Sequence, residues 1–139
     1  MVIPANLRRQ VIKRAANCCE YCGLAQTGQE ATFHVDHVVP VVAGGQSTSE
    51  NLALACVSCS LRKGARLVIV DPHTGEEIVL FDPRRDAWLV HFRWDGVQVV
   101  SITPTGRVTV MALHMKRPLA LTIREEEAHR GRHPPQAHR

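Results

Sequence analysis

Two pairs of cysteines, each with two residues between the thiols, frame the part of the chain best equipped for chemistry. The pairs are Cys19 with Cys22 and Cys56 with Cys59. Four thiolates from two such pairs can bind one Zn²⁺ tetrahedrally, with Zn–S bonds of about 2.3 Å, and so join distant parts of a chain. The spacing therefore predicts a structural zinc site. Cys18 does not fit this spacing, and we expect it to be a small buried residue.

A carboxylate and an imidazole stand side by side between the two pairs, at Asp36 and His37, and Asn51 follows before the second pair. An imidazole has an ordinary pKa of about 6.5, so it can accept a proton from water near neutral pH. Taken singly, each residue has a simpler interpretation. His37 could be a strand histidine with satisfied hydrogen bonds, and Asp36 a loop carboxylate that accepts from the backbone.

The order of these motifs resembles that of the HNH endonucleases, over residues 14–64. It runs from Cys-x-x-Cys through Asp36-His-Val-Val-Pro, Gly44-Gly45 and Asn51-Leu-Ala-Leu-Ala-Cys-Val-Ser-Cys to Lys63-Gly64. The resemblance implies a ββα-metal motif in which Asp36 binds a catalytic Mg²⁺ or Mn²⁺, His37 is the general base and Asn51 holds the histidine loop in place. It also implies hydrolysis of DNA, most often double-stranded, to a 5′ phosphate and a 3′ hydroxyl.

One position departs from the family pattern. The residue after the last cysteine is commonly His or Asn in the family and completes the catalytic metal site, but here it is Ser60. His34 is a second candidate ligand, because residues two apart on a strand share a face and His34 would point the same way as Asp36. His37 would point the opposite way, so we expect the strand to end or bulge before Pro40.

Two other functions compete with a nuclease. A noncatalytic zinc-bound nucleic-acid-binding module would keep the cysteine frame without activity, and Ser60 favours this alternative. A zinc nucleobase deaminase requires His-x-Glu and Pro-Cys-x-x-Cys motifs and a water on the zinc. The sequence contains no His-x-Glu, Ala55 precedes Cys56, and four thiolates would close the zinc to water, so a deaminase is disfavoured.

Three basic residues follow the second cysteine pair, at Arg62, Lys63 and Arg66. We expect them to contact DNA phosphates next to the scissile bond. A solvated basic face is the alternative for each, since the formal net charge of the chain is only +4.

Periodicity and turn signals predict a mixed α+β fold. A helix is expected at residues 4–16, strands at 31–39 and 52–55, and a helix at 57–63 that ends at Gly64. Ser47-Thr-Ser-Glu50 matches a capping box, which predicts a short helical turn presenting Asn51. The predicted architecture is a zinc-stapled ββα-metal motif with an N-terminal helix and a C-terminal extension of β-hairpins and a helix.

The second half of the 139 residues carries weaker signals. They predict one hairpin from residues 67–72 and 78–81, and another from 88–94 and 97–102 that turns at Asp95-Gly96. Residues 103–113 are ambiguous between strand and helix, and a short helix is expected at 120–130. The segments Leu80-Phe-Asp-Pro-Arg and Trp88 to Trp94 resemble the tail of some small stand-alone prokaryotic HNH proteins. We therefore assign residues 1–66 to the nuclease core, 67–130 to a β-rich extension of the same unit and 131–139 to a flexible tail.

The apolar runs are far shorter than the roughly 20 residues that a membrane-spanning helix requires. Only Met1-Val-Ile precedes Pro4, which is too short for the apolar part of a secretory signal. These features predict a cytoplasmic protein, where thiols stay reduced and paired cysteines are better explained as metal ligands than as disulfides.

Overall fold

The computed structural model describes residues 3–139. Residues 1 and 2, the start of the predicted nuclease core at 1–66, lie outside the described residues. The structure is a mixed α+β fold with three two-stranded antiparallel sheets. The helices are α1 (Ala5–Arg14), α2 (Val57–Lys63), α3 (Trp88–His91), α4 (Pro104–Ala112) and α5 (Pro118–His129). The strands are β1 (His34–His37), β2 (Leu52–Ala55), β3 (Val68–Val70), β4 (Glu77–Val79), β5 (Phe92–Asp95) and β6 (Gln98–Ser101). Short 3₁₀ turns span Val41–Ala43, Ser49–Asn51 and Gln136–His138.

The ββα unit consists of β1, β2 and α2. The two strands pair in a regular antiparallel register, from His34 opposite Ala55 to His37 opposite Leu52. Every residue of β2 is buried, and α2 follows it after a single residue and ends before Gly64. The predicted β2 and α2 are confirmed. Strand β1 is shorter than the predicted 31–39 and stops at His37.

Helix α1 packs its apolar stripe against this unit. Val11 is fully buried, with Leu7 and Ile12 packed against the same core. The helix ends at Arg14, two residues before the predicted end, because Ala16 and Asn17 adopt φ values of 51° and 58°. A right-handed helix cannot continue through such a left-handed backbone.

The extension combines the two hairpins with helices α3, α4 and α5. The first hairpin pairs β3 with β4, as predicted. The second is shorter than predicted, because residues 88–91 form the helical turn α3 and only β5 and β6 pair. The ambiguous residues 103–113 are mainly helix α4: Pro104 starts it, and the Thr103 hydroxyl accepts a hydrogen bond from Gly106 N at 3.0 Å.

One continuous core joins the two halves. The four paired cysteines belong to the same buried cluster as Val11 of α1 and as Phe92, Val99 and Leu113 of the extension. The indole Nε1 of Trp88 also donates to Tyr21 O, between the first two cysteines, at 2.8 Å. The extension is therefore packed directly on the predicted metal site.

The last residues, predicted to be a flexible tail, return to this core. The ring of His138 is only 6% exposed and stacks on Trp88 with a centroid distance of 4.2 Å. Trp94 Nε1 donates to His138 O at 3.1 Å. Trp88 and Trp94, which lie 50 and 44 residues before His138 in the chain, thus hold it.

Membrane spanning can be checked against the helices directly. No helix within residues 3–139 combines the length and the apolar character needed to cross a membrane.

Candidate active site and metal centre

The four paired cysteines converge on one buried point. Their sulfur atoms all lie within 4.8 Å of one another, and all four residues are buried. The Sγ atoms of Cys22 and Cys56 are 3.7 Å apart. A tetrahedral zinc with bonds of about 2.3 Å would separate its sulfurs by about 3.8 Å, so the cluster fits a structural zinc site.

Each cysteine pair forms the same local turn. Cys22 N donates to Cys19 Sγ at 3.5 Å, and Cys59 N donates to Cys56 Sγ at 3.4 Å. The first turn is also tied to β2, because Glu20 N donates to Leu54 O and Leu54 N donates to the Glu20 carboxylate, both at 2.8 Å. Amide donors to sulfur favour the thiolate form, which is the form that binds metal.

Two charged side chains of the extension contact the zinc turns, the half-buried Arg84 and the buried Arg124. Arg84 forms an ion pair with Glu20, and the Arg124 guanidinium donates to Cys22 O at 3.1 Å. Burial raises the pKa of Glu20. Burial also lowers the pKa of Arg124, while the sulfur of Cys22 raises it.

A second, open site lies at the end of β1. Asp36, His37 and Ser60 line one surface depression of about 330 Å³. Its other lining residues are Pro40, Val41, Val42, Gly64 and Ala65. Strand β1 ends at His37 without a bulge in its pairing. The chain turns there, which allows two consecutive residues to face one depression.

The His37 ring is held from the loop that follows. Its Nε2 lies 2.8 Å from the Ser47 hydroxyl. The predicted short helical turn is present at Ser49–Asn51; its N-cap is Thr48, whose side chain makes no cap hydrogen bond. Ser47 thus positions the imidazole of His37, and no local pattern in the sequence indicates this contact.

The Asn51 side chain fastens the same loop. Its Oδ1 accepts from Val39 N at 2.9 Å, and its Nδ2 donates to Val39 O at 3.0 Å and to Gln46 O at 2.9 Å. A Cβ placed on Gly45 would lie 1.7 Å from Val39 O. Glycine at that position therefore lets the loop close over Asn51.

Lys63 has a different environment from the one predicted for a DNA contact. It is only 3% exposed, and its ammonium donates to Val38 O at 2.9 Å. Burial lowers its pKa, and the charge of Asp36 partly opposes that effect. Through this hydrogen bond, Lys63 holds the loop that follows His37 in place.

The other predicted residues, His34, Arg62 and Arg66, are not among the residues that line the depression. His34 Nδ1 is 2.8 Å from the Ser60 hydroxyl, so the two alternative metal ligands are in contact with each other. Arg62 is exposed in the last turn of α2, and Arg66 is exposed shortly after the helix ends. The Arg62 guanidinium donates to Ser58 Oγ at 3.2 Å, and Arg66 donates to the carbonyls of Lys63 and Arg62.

The family comparison agrees with this geometry. Residues 19–66 match the family model described as HNH endonuclease. Over these residues the chain is similar to the HNH endonucleases, and we call this segment the HNH domain. No curated protein and no solved structure matches the chain. The matched residues contain the four cysteines and the whole lining of the depression, so the HNH domain holds both the zinc cluster and the candidate active site.

Proposed function

We propose that the protein is a metal-dependent endonuclease that hydrolyses phosphodiester bonds in DNA. The observation that carries the proposal is that Asp36, His37 and Ser60 line one open depression of the HNH domain. The depression is shallow and open to solvent, which suits a polymer backbone better than a small enclosed substrate. A cytosolic location, where the zinc thiols stay reduced, is part of the proposal.

The residues of the depression fit a hard divalent cation. Asp36 would be its charged ligand and the Ser60 hydroxyl a neutral one. Within residues 3–139 the four cysteines alone form a group of three or more potential ligands of the types His, Cys, Asp and Glu. A site with one carboxylate suits Mg²⁺ or Mn²⁺, which commonly keep waters and bind through one or two carboxylates plus substrate phosphates. When bound, the ion would stabilise the negative charge that develops on the phosphate and the leaving oxygen.

His37 would take the proton from the attacking water. The contact between its Nε2 and Ser47 fixes the ring. In the tautomer with the proton on Nε2, this nitrogen donates to Ser47 and Nδ1 keeps the lone pair that a general base needs. Asn51 and Lys63 would act through the loop backbone, by holding Val38 and Val39 and thereby the position of His37.

His34 would strengthen Ser60 as a ligand. When the His34 Nδ1 accepts the hydroxyl proton of Ser60, electron density on the serine oxygen increases. A neutral oxygen ligand backed by an imidazole binds a cation better than an isolated hydroxyl. Ser60 is then the metal ligand, and His34 is its hydrogen-bond partner. In this way the residue that departs from the family pattern can still complete the metal site.

Arg62 and Arg66 would contact DNA phosphates, since Arg62 lies in the last turn of α2, the helix that carries Ser60, Arg66 follows shortly after that helix, and both are exposed. Phosphate contacts fix the position of a protein on DNA without reading its sequence. Lys63 is left out of this role, because its ammonium is buried against Val38 O.

The test is cleavage of supercoiled plasmid by zinc-loaded protein in Mg²⁺, in Mn²⁺ and in EDTA. We expect nicking that requires the divalent ion and that His37→Ala abolishes. His129→Ala, which removes an exposed imidazole from α5, is the matched control and should cleave as the wild type does.

Cleavage by His37→Ala equal to that of the wild type would identify a contaminating nuclease. Plasmid binding without cleavage in any ion would instead support a noncatalytic nucleic-acid-binding module. The presence of Ser60 and a single carboxylate are the features that favour this second candidate.

A further inference from the structure

Arg124 is the largest side chain that the fold buries completely. It lies on α5 and is 1% exposed. Its Nη1 donates to Met115 O at 2.8 Å and to Val97 O at 3.4 Å, and its Nη2 donates to Cys22 O at 3.1 Å. The guanidinium carbon lies 5.1 Å from the centroid of the Trp94 ring. All the hydrogen-bond acceptors are neutral carbonyls.

Three arginines that are more exposed than Arg124 have carboxylate partners. Arg84 pairs with Glu20, Arg107 with Asp71 and Arg132 with Glu127. Among the residues that the structure describes, no carboxylate forms a salt bridge with Arg124. A buried cation without a counter-charge is strongly destabilising, so a fold that keeps one has an anion nearby.

The zinc site supplies that anion. Four thiolates around one divalent ion leave two negative charges in a cluster whose cysteines are at most 2% exposed. This buried negative charge also needs compensation, and Arg124 reaches the cluster through the carbonyl of its ligand Cys22. We infer that Arg124 is a positioning and charge-compensating residue of the zinc site, supplied to the HNH domain by the C-terminal extension.

The zinc site then includes Arg124 as well as the four cysteine ligands. Arg124 orients the first cysteine turn through its hydrogen bond and lowers the electrostatic free energy of the zinc-bound state. The inference stands on the zinc cluster alone. It does not depend on the proposed nuclease activity, and its test uses zinc without DNA.

The test measures zinc affinity by competition with a chromophoric chelator on the full chain, for Arg124→Gln and Arg124→Lys. Loss of a partner outside the ligand sphere typically weakens metal affinity by about 10- to 100-fold, and we expect a loss in this range for Arg124→Gln. Arg124→Lys keeps the charge and should recover most of the affinity. Arg130→Gln is the control, because Arg130 is exposed just after the same helix and pairs with Glu126.

A double-mutant cycle separates charge from packing. Cys59→His replaces a thiolate by a neutral imidazole and leaves the cluster with one negative charge. If Arg124 acts through charge, Arg124→Gln should weaken zinc binding less in the Cys59→His background than in the wild type. The absorption of the Co²⁺-substituted protein confirms that each variant keeps a tetrahedral site.

Three results would overturn the inference. The first is an unchanged zinc affinity in Arg124→Gln. The second is an equal loss of zinc affinity on Arg124→Gln in the wild-type and Cys59→His backgrounds. The third is a loss of zinc affinity in Arg124→Lys as large as the loss expected for Arg124→Gln. The lysine variant keeps the test decisive if Arg124→Gln fails to fold.

Discussion

Replacement of Asn51 by alanine tests how the histidine loop is held. The substitution removes three side-chain hydrogen bonds, of which the two to Val39 are partly buried and the one to Gln46 O is exposed. A typical intramolecular hydrogen bond contributes about 1 kcal/mol net, and an exposed one contributes less. We therefore expect Asn51→Ala to lower the free energy of unfolding by about 2–3 kcal/mol, and the melting temperature by about 6–12 °C for a domain of this size.

Activity should fall further than stability. The freed loop carries the residues directly after His37, and a displacement of about 1 Å at a reacting group can cost about 100-fold in rate. Urea denaturation with zinc in excess gives the stability, and plasmid nicking at a temperature where the variant stays folded gives the rate. Asn6→Ala, an exposed asparagine of α1, is the control for the loss of an amide.

An Asn51→Ala protein that unfolds at the wild-type urea concentration would refute a role of Asn51 in holding the loop. A folded variant that cleaves at the wild-type rate would refute it as well. Asn51→Asp adds a sharper comparison, because the carboxylate can still accept from Val39 N but cannot donate to the two carbonyls. It should be at least as unstable as the alanine variant.

Three further predictions follow from other contacts. Ser60→Asn should increase nicking at limiting Mg²⁺, since an amide oxygen is the commoner ligand; a rate unchanged across a metal titration would remove Ser60 from the site. Arg62→Ala should weaken DNA binding similarly for all sequences and reduce the dependence of log affinity on log salt by about one unit, and a sequence-dependent loss would make it a base-reading residue. Burial lowers the pKa of His138 to about 4, so the unfolded chain, with a histidine pKa of about 6.5, binds the proton first as pH falls. Stability should therefore decrease between about pH 6.5 and 4 by up to about 3 kcal/mol, and His138→Gln should flatten this decrease in denaturation curves; an identical pH profile would contradict the burial of the neutral ring.

The sequence predicts those parts of the fold that are marked by a local pattern or by a characteristic spacing of residues. The cysteine spacing indicated a four-thiolate cluster, and the apolar run of β2 followed by Gly64 after α2 gave the bounds of both elements. Strand β1 was overestimated, because β-branched residues continue on both sides of the short segment that pairs with β2. Propensity does not show where pairing stops.

The features that the sequence did not predict depend on contacts between residues that are distant in the chain. Lys63 looks like a surface cation in sequence, but folding places its ammonium under Val38. Residues 88–91 are mostly apolar, as in a buried strand, yet Trp88 turns inward to donate to Tyr21 O, and these residues form a helical turn. The contact between Ser47 and His37 depends on the path of a loop. None of these partners can be read from local spacing, since each is fixed by tertiary packing.

The hydrogen bond between Arg124 and Cys22 spans 102 residues of sequence, which has a consequence for synthesis on the ribosome. At about 5–20 residues per second, roughly 5–20 s separate the emergence of the first cysteine turn from that of the arginine. During this interval the nascent chain exposes thiols and an apolar surface that the extension will later cover. Early zinc capture would order the cysteine turns before the extension can cover them, so zinc supply during translation should affect the yield of folded protein more than zinc added afterwards.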